Sequence, residues 1–468
     1  MKRIILALSV LMALVSCSGK PEVKYVFYLI GDGMGVNHVM GAQQYNEATG
    51  NGPAQINFAQ FPVRGFVTTV SATSLVTDSA AGGTALATGQ KTYNGAIGMG
   101  ADTTRVSNIT EWAVNAGFGT GIATSVGVNH ATPASFMAHT EKRRNYDDII
   151  CHYIDSSSVD FVAGAGIIAR NPDRNPDWYE ARAKENGITV LKGGDAFGDI
   201  ASVEGRVLCL SAKQQEDLPY AIDRKEDDTS LADFVSAGIS YLEARYGEKG
   251  FFFMIEGGKI DYSAHGNDAA TTFREVTDFA RAVEVVLEFQ RRHPDETLVV
   301  VTADHETGGL MLGAGRYEIR PELLASQKMS ESALTNLFQE TFFPEGKPYR
   351  TPSWEQVKQF FSDNLGLWSQ VDVSEKSEKM LFNTYEMTFG KGGNRSLSEK
   401  NLYSENAKMV SDAITCLDLA AGYSWSHNSH SGSPVGLYVT GRGCEAFTCV
   451  KDNTEIAPVI AGLAGYKR

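Results

Sequence analysis

The chain has 468 residues, enough for one large α/β domain with insertions or for two domains. Apolar residues make up 43% and charged ones 21%, the balance of an ordinary globular protein. The net charge of −14 argues against nucleic acid as the main partner, because a phosphate backbone demands a basic surface; acidic clusters are left to hold cations or simply to be solvated.

The first residues read as a leader and not as part of the fold. Lys2 and Arg3 precede IILALSVLMALV, an apolar run too short for a comfortable membrane span. The run ends in LVSC, residues 14–17, which resembles a bacterial lipobox. Cleavage before Cys17 removes residues 1–16 as a lipoprotein signal peptide and leaves a lipid-anchored chain beginning CSGKPE. A plain secretory signal is the alternative. Either reading exports the protein to the cell envelope, on the periplasmic side or at the surface of the outer membrane, and Ser18 leans toward the outer membrane. Of the other five cysteines, Cys444 and Cys449 are close enough to bridge a small loop, while Cys151, Cys209 and Cys416 read as buried apolar groups. No pair has CxxC spacing, which sets a zinc finger aside.

Beyond the leader, strand-like apolar runs alternate with longer helical patterns. KYVFYLI (24–30) ends at GDGMG, and GTGIATSV (119–126) ends before GVNHATP. GFFFMIEGG (250–258) leads into KIDYSAH, TLVVVTADH (297–305) ends at ETGG, and GLYVTG (436–441) follows HNSHSGS. This alternation predicts an α/β fold: a three-layer α/β/α sandwich with a large, mostly parallel central sheet. Polar residues gather where strands end, the place where open α/β sheets bind ligands. From 311 to 424 amphipathic helical stretches replace strand signals, and the segment reads as a cap-like insertion into one domain spanning 17–468. Trp354, Trp368 and Tyr385 there either pack that insertion or narrow the substrate choice. NTEIAPVIAGLAG reads as a terminal helix returning to the sheet.

Three familiar motifs fail on inspection. Gly31, Gly33 and Gly35 miss the dinucleotide pattern because Val36 stands in the way, and Gln90 occupies the lysine position of a P-loop after Gly89. Ser79, in VTDSAAGGTALATG (76–89), lies outside a GxSxG nucleophile elbow. It is either a helix cap or a nucleophile facing an anion at a helix start. Elsewhere Glu256, Asp261 and His265 cluster within EGGKIDYSAH, Asp304 adjoins His305, and His427 and His430 precede the last strand. Mixed Asp and His sets suit zinc, and carboxylate with hydroxyl suits magnesium.

GDGMG, VTDSAAGGTALATG, HATP, IEGGKIDYSAH, VTADH and HSG, in that order, resemble the alkaline phosphatases over roughly 22–310 and 425–465. The resemblance implies hydrolysis of phosphate monoesters, with Ser79 as the nucleophile that becomes phosphorylated and Arg143 as the residue gripping phosphate. It implies two zinc ions, one on Asp261, His265 and His430 and one on Asp32, Asp304 and His305. It further implies a magnesium ion on Asp32, Thr132 and Glu256, and a homodimer. Arg144 competes with Arg143 and His427 with His430; spacing from His139 favours Arg143, and HSG favours His430. His130 and Tyr262 fall where the family varies, often with Asp or His at the first and Lys, His or Trp at the second. A phosphodiesterase or sulfatase of the same superfamily is the alternative reading. Thr132 and Glu256 argue against the first, and the lack of a C/S-x-P-x-R sequence at Ser79 argues against the second. A non-catalytic metal or phosphate binder would need neither the serine nor the arginine.

Overall fold

Nine strands assemble into one sheet in a computed structural model that describes residues 23–213, 215–313, 315, 317–344 and 350–468. The leader and Cys17 lie outside the described residues. In chain order the strands are β1 (Tyr25–Gly31), β2 (Val63–Val67), β3 (Gly119–Thr124), β4 (Phe161–Gly164) and β5 (Thr189–Lys192), followed by β6 (Val207–Leu210), β7 (Phe251–Gly257), β8 (Thr297–Thr302) and β9 (Val435–Gly441). Their spatial order is β2-β9-β8-β1-β7-β3-β4-β6-β5. β9 runs antiparallel to both its neighbours, and every other pairing is parallel.

The central strands YVFYLIG, FFFMIEG and TLVVVT are buried along their whole length, as parallel strands covered on both faces must be. Alternate side chains therefore feed two different layers. Phe27 and Phe251 meet Phe289 of the helix Ala269–Arg292 on one face. On the other face Tyr28 and Phe252 pack on Phe136, and Phe252 also meets Tyr466, just after the terminal helix Ile456–Ala464. Helices thus cover both sides of the sheet, giving the α/β/α sandwich the sequence predicts. Two strands are shorter than read: β3 stops at Thr124 and β8 at Thr302, leaving Asp304 and His305 beyond the ladder.

Within 311–424 lie the helices Glu331–Phe342, Trp354–Leu365, Glu375–Phe389 and Lys408–Ala421, and a hairpin pairing Ser398–Lys400 with Glu405–Ala407. The helices close around their own aromatic cluster, in which Phe338 touches Phe342, Phe360, Phe361 and Phe389. Trp354 packs edge-on against Trp368 and beside Tyr385, and the three rings, partly buried, pack against the segment's core. Cys444 and Cys449 are unbridged; Cys209 and Cys416 are buried, whereas Cys151, expected to be buried, is only partly covered. Among the described residues, no helix is long and apolar enough to cross a membrane.

Candidate active site

The polar residues singled out by sequence meet at one end of the sheet. Asp32 follows β1, Glu256 closes β7, His130 and Thr132 follow β3, and Asp304 and His305 follow β8. Asp261 and His265 sit four apart on the helix Lys259–His265, so they share one face. His430 pairs with Thr307 in a two-residue ribbon ahead of β9. Because β9 is antiparallel, residues before it arrive at the same end as residues after the parallel strands.

Ser79 opens the helix Ser79–Thr88, but it does not cap it. The cap is Asp78, whose Oδ1 accepts from the Ala81 N–H at 3.0 Å. Ser79 is left buried, with its Oγ 3.1 Å from His305 Nε2. Close approach needs the small residues of this stretch: a Cβ on Gly82 would stand 2.8 Å from the Asp304 carbonyl oxygen. Gly33, at φ +69°, turns the chain where a Cβ would stand 2.7 Å from the Asp261 carboxylate.

Asp78 has a second task. Its Oδ2 accepts from Arg143 Nη1 at 3.2 Å, while Arg143 Nη2 lies 3.2 Å from His130 Nε2. Arg143 is thereby turned into the site, and its neighbour Arg144 is exposed. The same holds for the histidine pair: His427 is exposed and His430 faces the cluster.

Three sets of ligand-type atoms each lie within 4.8 Å of one another: Asp261, His265 and His430; Asp32, Asp261 and His305; and Asp32, His130 and Glu256. Atoms about 2 Å from a common ion at tetrahedral angles lie about 3.3 Å apart. The spacings here match. In the first set His265 Nε2 is 3.1 Å from His430 Nε2 and 3.4 Å from Asp261 Oδ2. At His305, Nε2 is 3.3 Å from Asp32 Oδ1 and 3.4 Å from Asp304 Oδ2, which brings Asp304 to the second set. Thr132 Oγ1 donates to Asp32 Oδ2 at 3.4 Å, beside the third.

The hydrogen bonds behind these atoms aim them inward. His265 Nδ1 meets the Asn428 carbonyl at 2.6 Å and His430 Nδ1 the Thr77 carbonyl at 2.9 Å. Each ring therefore carries its proton on Nδ1, and two Nε2 lone pairs face each other, an arrangement that a shared cation or proton relieves. Asp32 Oδ1, Glu256 Oε1, Asp261 Oδ2 and Asp304 Oδ2 are buried with no hydrogen-bond partner. Such atoms are costly unless something positive completes them, and these residues fit divalent metal ions.

Electrostatics show the same tension. Burial, and then the charges of Asp304, Asp261 and Glu256, push the Asp32 carboxyl well above its usual range. Burial, reinforced by Asp261, raises Asp304 to about 8, and burial lifts Glu256 to about 7. Asp261 behaves oppositely: burial opposes its charge, yet His265, His430 and His305 hold it well below the usual range. Burial lowers His305, His430 and His130, the last to about 3 with help from Arg143. Burial also opposes the charged form of His265, but the Asp261 carboxylate raises it overall.

Several partners were not legible in the sequence. Thr124 donates to Glu256, and Thr307 donates to Asp261. His130 joins the third cluster itself. Tyr403 reaches in from the hairpin of 311–424. His130 is the exception, already singled out in the sequence as a position where the family varies.

The sequence matches the family described as alkaline phosphatase over residues 23–163 and 201–466. Alkaline phosphatase 4 of Bacillus subtilis (strain 168) is 31% identical over 451 residues, covering 94% of this chain and 88% of that protein. The cold-active alkaline phosphatase of the psychrophile Shewanella sp. superposes with a TM-score of 0.75 at 28% identity, covering 94% of this chain and 99% of the other. The Thermus thermophilus enzyme gives a TM-score of 0.75 at 26% identity, covering 96% of this chain and 93% of the other. With the matching α/β/α fold and buried metal-type clusters at the ends of its strands, this chain is a phosphatase and belongs to the alkaline phosphatase family.

Proposed function

We propose that this phosphatase hydrolyses phosphate monoesters in two steps, through a phosphoserine at Ser79, with two zinc ions and one magnesium ion bound. The observation carrying this reading is Ser79 Oγ, released from capping by Asp78 and set 3.1 Å from His305 Nε2 inside the clusters. Asp261, His265 and His430 would hold one zinc, Asp32, Asp304 and His305 the other, and Asp32, Thr132 and Glu256 the magnesium. When bound, the ions supply Lewis-acid stabilisation of the attacking and leaving oxygens and lower the pKa of hydroxyl and water.

This chain's residues do the rest. Arg143 presents its planar fork to two phosphoryl oxygens, a match that a lysine would lack. Ser79 Oγ bonds to phosphorus as the bond to the leaving alcohol oxygen breaks, and the alcohol departs with a proton. Water then attacks the phosphoserine, releasing inorganic phosphate and restoring the hydroxyl. Because the grip is on the phosphoryl group, many alcohols serve as leaving groups.

Acid-quenched reaction with a labelled aryl phosphate monoester is expected to leave label on Ser79 in the peptide spanning 76–89. Strong preference for the monoester over the matching diester should accompany it. Label on another residue, or diester preference, would sink this reading.

The lipid anchor at Cys17 and a homodimer complete the proposal, the first supported by LVSC and the second by the family. Labelled palmitate fed to the producing cells should enter the full chain and not a Cys17→Ala variant, and the soluble chain should sediment as a dimer. Equal labelling of both chains, or a monomer, would remove the corresponding part.

A further inference from the structure

We propose that Tyr403 is a positioning residue that holds the Arg143 guanidinium from the side of the 311–424 segment and so sets how tightly phosphate is bound. This rests on the function proposed above.

Tyr403 sits in the turn between the hairpin strands Ser398–Lys400 and Glu405–Ala407. The turn is built stiffly. Asn401 Oδ1 accepts from the N–H groups of Tyr403 at 2.9 Å and Ser404 at 2.7 Å, and its Nδ2 donates to Ser404 Oγ at 2.8 Å. Asn406 Nδ2 donates to the buried Glu331 carboxylate, which ties the hairpin to the helix Glu331–Phe342.

From this mount the Tyr403 ring lies flat on Tyr262, with centroids 3.8 Å apart and planes 16° apart. It also stands edge-on to His265 at 5.3 Å and to His130 at 5.9 Å. The Lys259 ammonium lies 5.0 Å from the centre of the Tyr262 ring and 3.8 Å from that of Tyr220, and it pairs with Asp217. Lysine, Tyr262 and Tyr403 thus form a column from the helix that follows the central strand β7 to the inserted segment, held by cation–π and stacking contacts.

At the end of this column Arg143 Nη2 donates to Tyr403 Oη at 3.4 Å. The guanidinium is then held at both ends: Nη1 by Asp78, beside Ser79, and Nη2 by His130 from the strand ends and by Tyr403 from the inserted segment. A fork held this way meets phosphate without first losing rotamer freedom. Stacking on Tyr262 needs only a ring. The hydroxyl alone reaches Arg143, so phenylalanine separates the two roles.

The test uses the full, metal-loaded chain as wild type, Tyr403→Phe and Tyr403→Ala. Four quantities are read: inhibition by inorganic phosphate, kcat and KM for an aryl phosphate monoester, zinc and magnesium content, and melting temperature. Tyr403→Phe is expected to raise both KM and the phosphate inhibition constant about tenfold, with kcat held within about twofold and metal content and melting temperature unchanged. Tyr403→Ala should raise both constants further. A phosphate inhibition constant within about twofold of wild type in Tyr403→Phe overturns the proposal, as does a change confined to melting temperature. A wild-type chain that neither hydrolyses the monoester nor binds inorganic phosphate overturns the proposed function, and this inference with it. An active wild type with an unmoved constant removes only the role of Tyr403.

Discussion

Alanine at position 79 is expected to lower kcat for an aryl phosphate monoester by at least about a thousandfold, while bound metal and melting temperature stay at wild-type values. The selectivity of this effect follows from the helix start. Asp78 does the capping, so removing the Ser79 hydroxyl strips no backbone N–H of its partner. Alanine is also the best helix former, and the position is already buried among small residues. Ser79 belongs to none of the three clusters of ligand-type atoms. What disappears is one oxygen atom beside His305. A variant that hydrolysed the monoester at the wild-type rate would mean that water attacks phosphorus directly, and the phosphoserine step would have to be abandoned.

Stripping the metal with a chelator should abolish turnover and lower the melting temperature by roughly 5 °C or more, since ions that bind only the folded chain stabilise it by mass action. The gap between stripped and loaded protein should widen from pH 6.5 to pH 8. Asp304, at about 8, and Glu256, at about 7, are raised by burial above the ordinary carboxyl values of about 4. In the stripped fold they hold protons that the unfolded chain has released. Their contribution is therefore complete below the unfolded value and is lost as pH climbs through the folded one. His265, raised by Asp261 against the effect of burial, acts in the same direction. His130, His305 and His430 are lowered, so they favour folding as pH rises, but only up to about 6.5, where the unfolded histidines have also lost their protons. Above that point the carboxyls and His265 dominate. Bound cations keep the site's carboxylates ionised and remove the penalty. Glu275 and Glu331, raised by burial to about 7 and about 8, titrate in both forms, so the difference between the two melting curves is the quantity to read. Curves that stay parallel between pH 6.5 and pH 8, with metal content verified, would remove these carboxyls from metal binding.

Much of the site is legible because each motif is short and sits where a strand must stop. Asp32 after KYVFYLI and Asp304 with His305 after TLVVV need no knowledge of distant residues to be noticed. Choices between neighbours were a different matter. Arg143 against Arg144, and His427 against His430, are decided by which side chain the folded backbone turns inward, and local spacing carries that only weakly. The hairpin around Tyr403 could not be read at all, because SEK and ENA lack the apolar alternation that marks a strand. Its two strands pair over a polar turn, and Tyr403 gains its meaning only from Tyr262 and Arg143, far away in the chain. Asp78 shows a residue doing two jobs that the sequence reading does not assign to it: the cap offered there is Ser79, and the bond from Arg143 to Asp78 exists only in three dimensions.

Among the described residues, β2 joins the sheet through β9 alone, and His430 stands just before that strand. An early segment therefore waits, during synthesis, for a very late one. Until residues 430–441 have been made, one edge of the sheet is missing and one cluster of ligand-type atoms lacks a histidine. Long-range pairings of this kind form slowly. A chain that stopped short of His430 would thus lack that sheet edge together with one member of the cluster formed with Asp261 and His265.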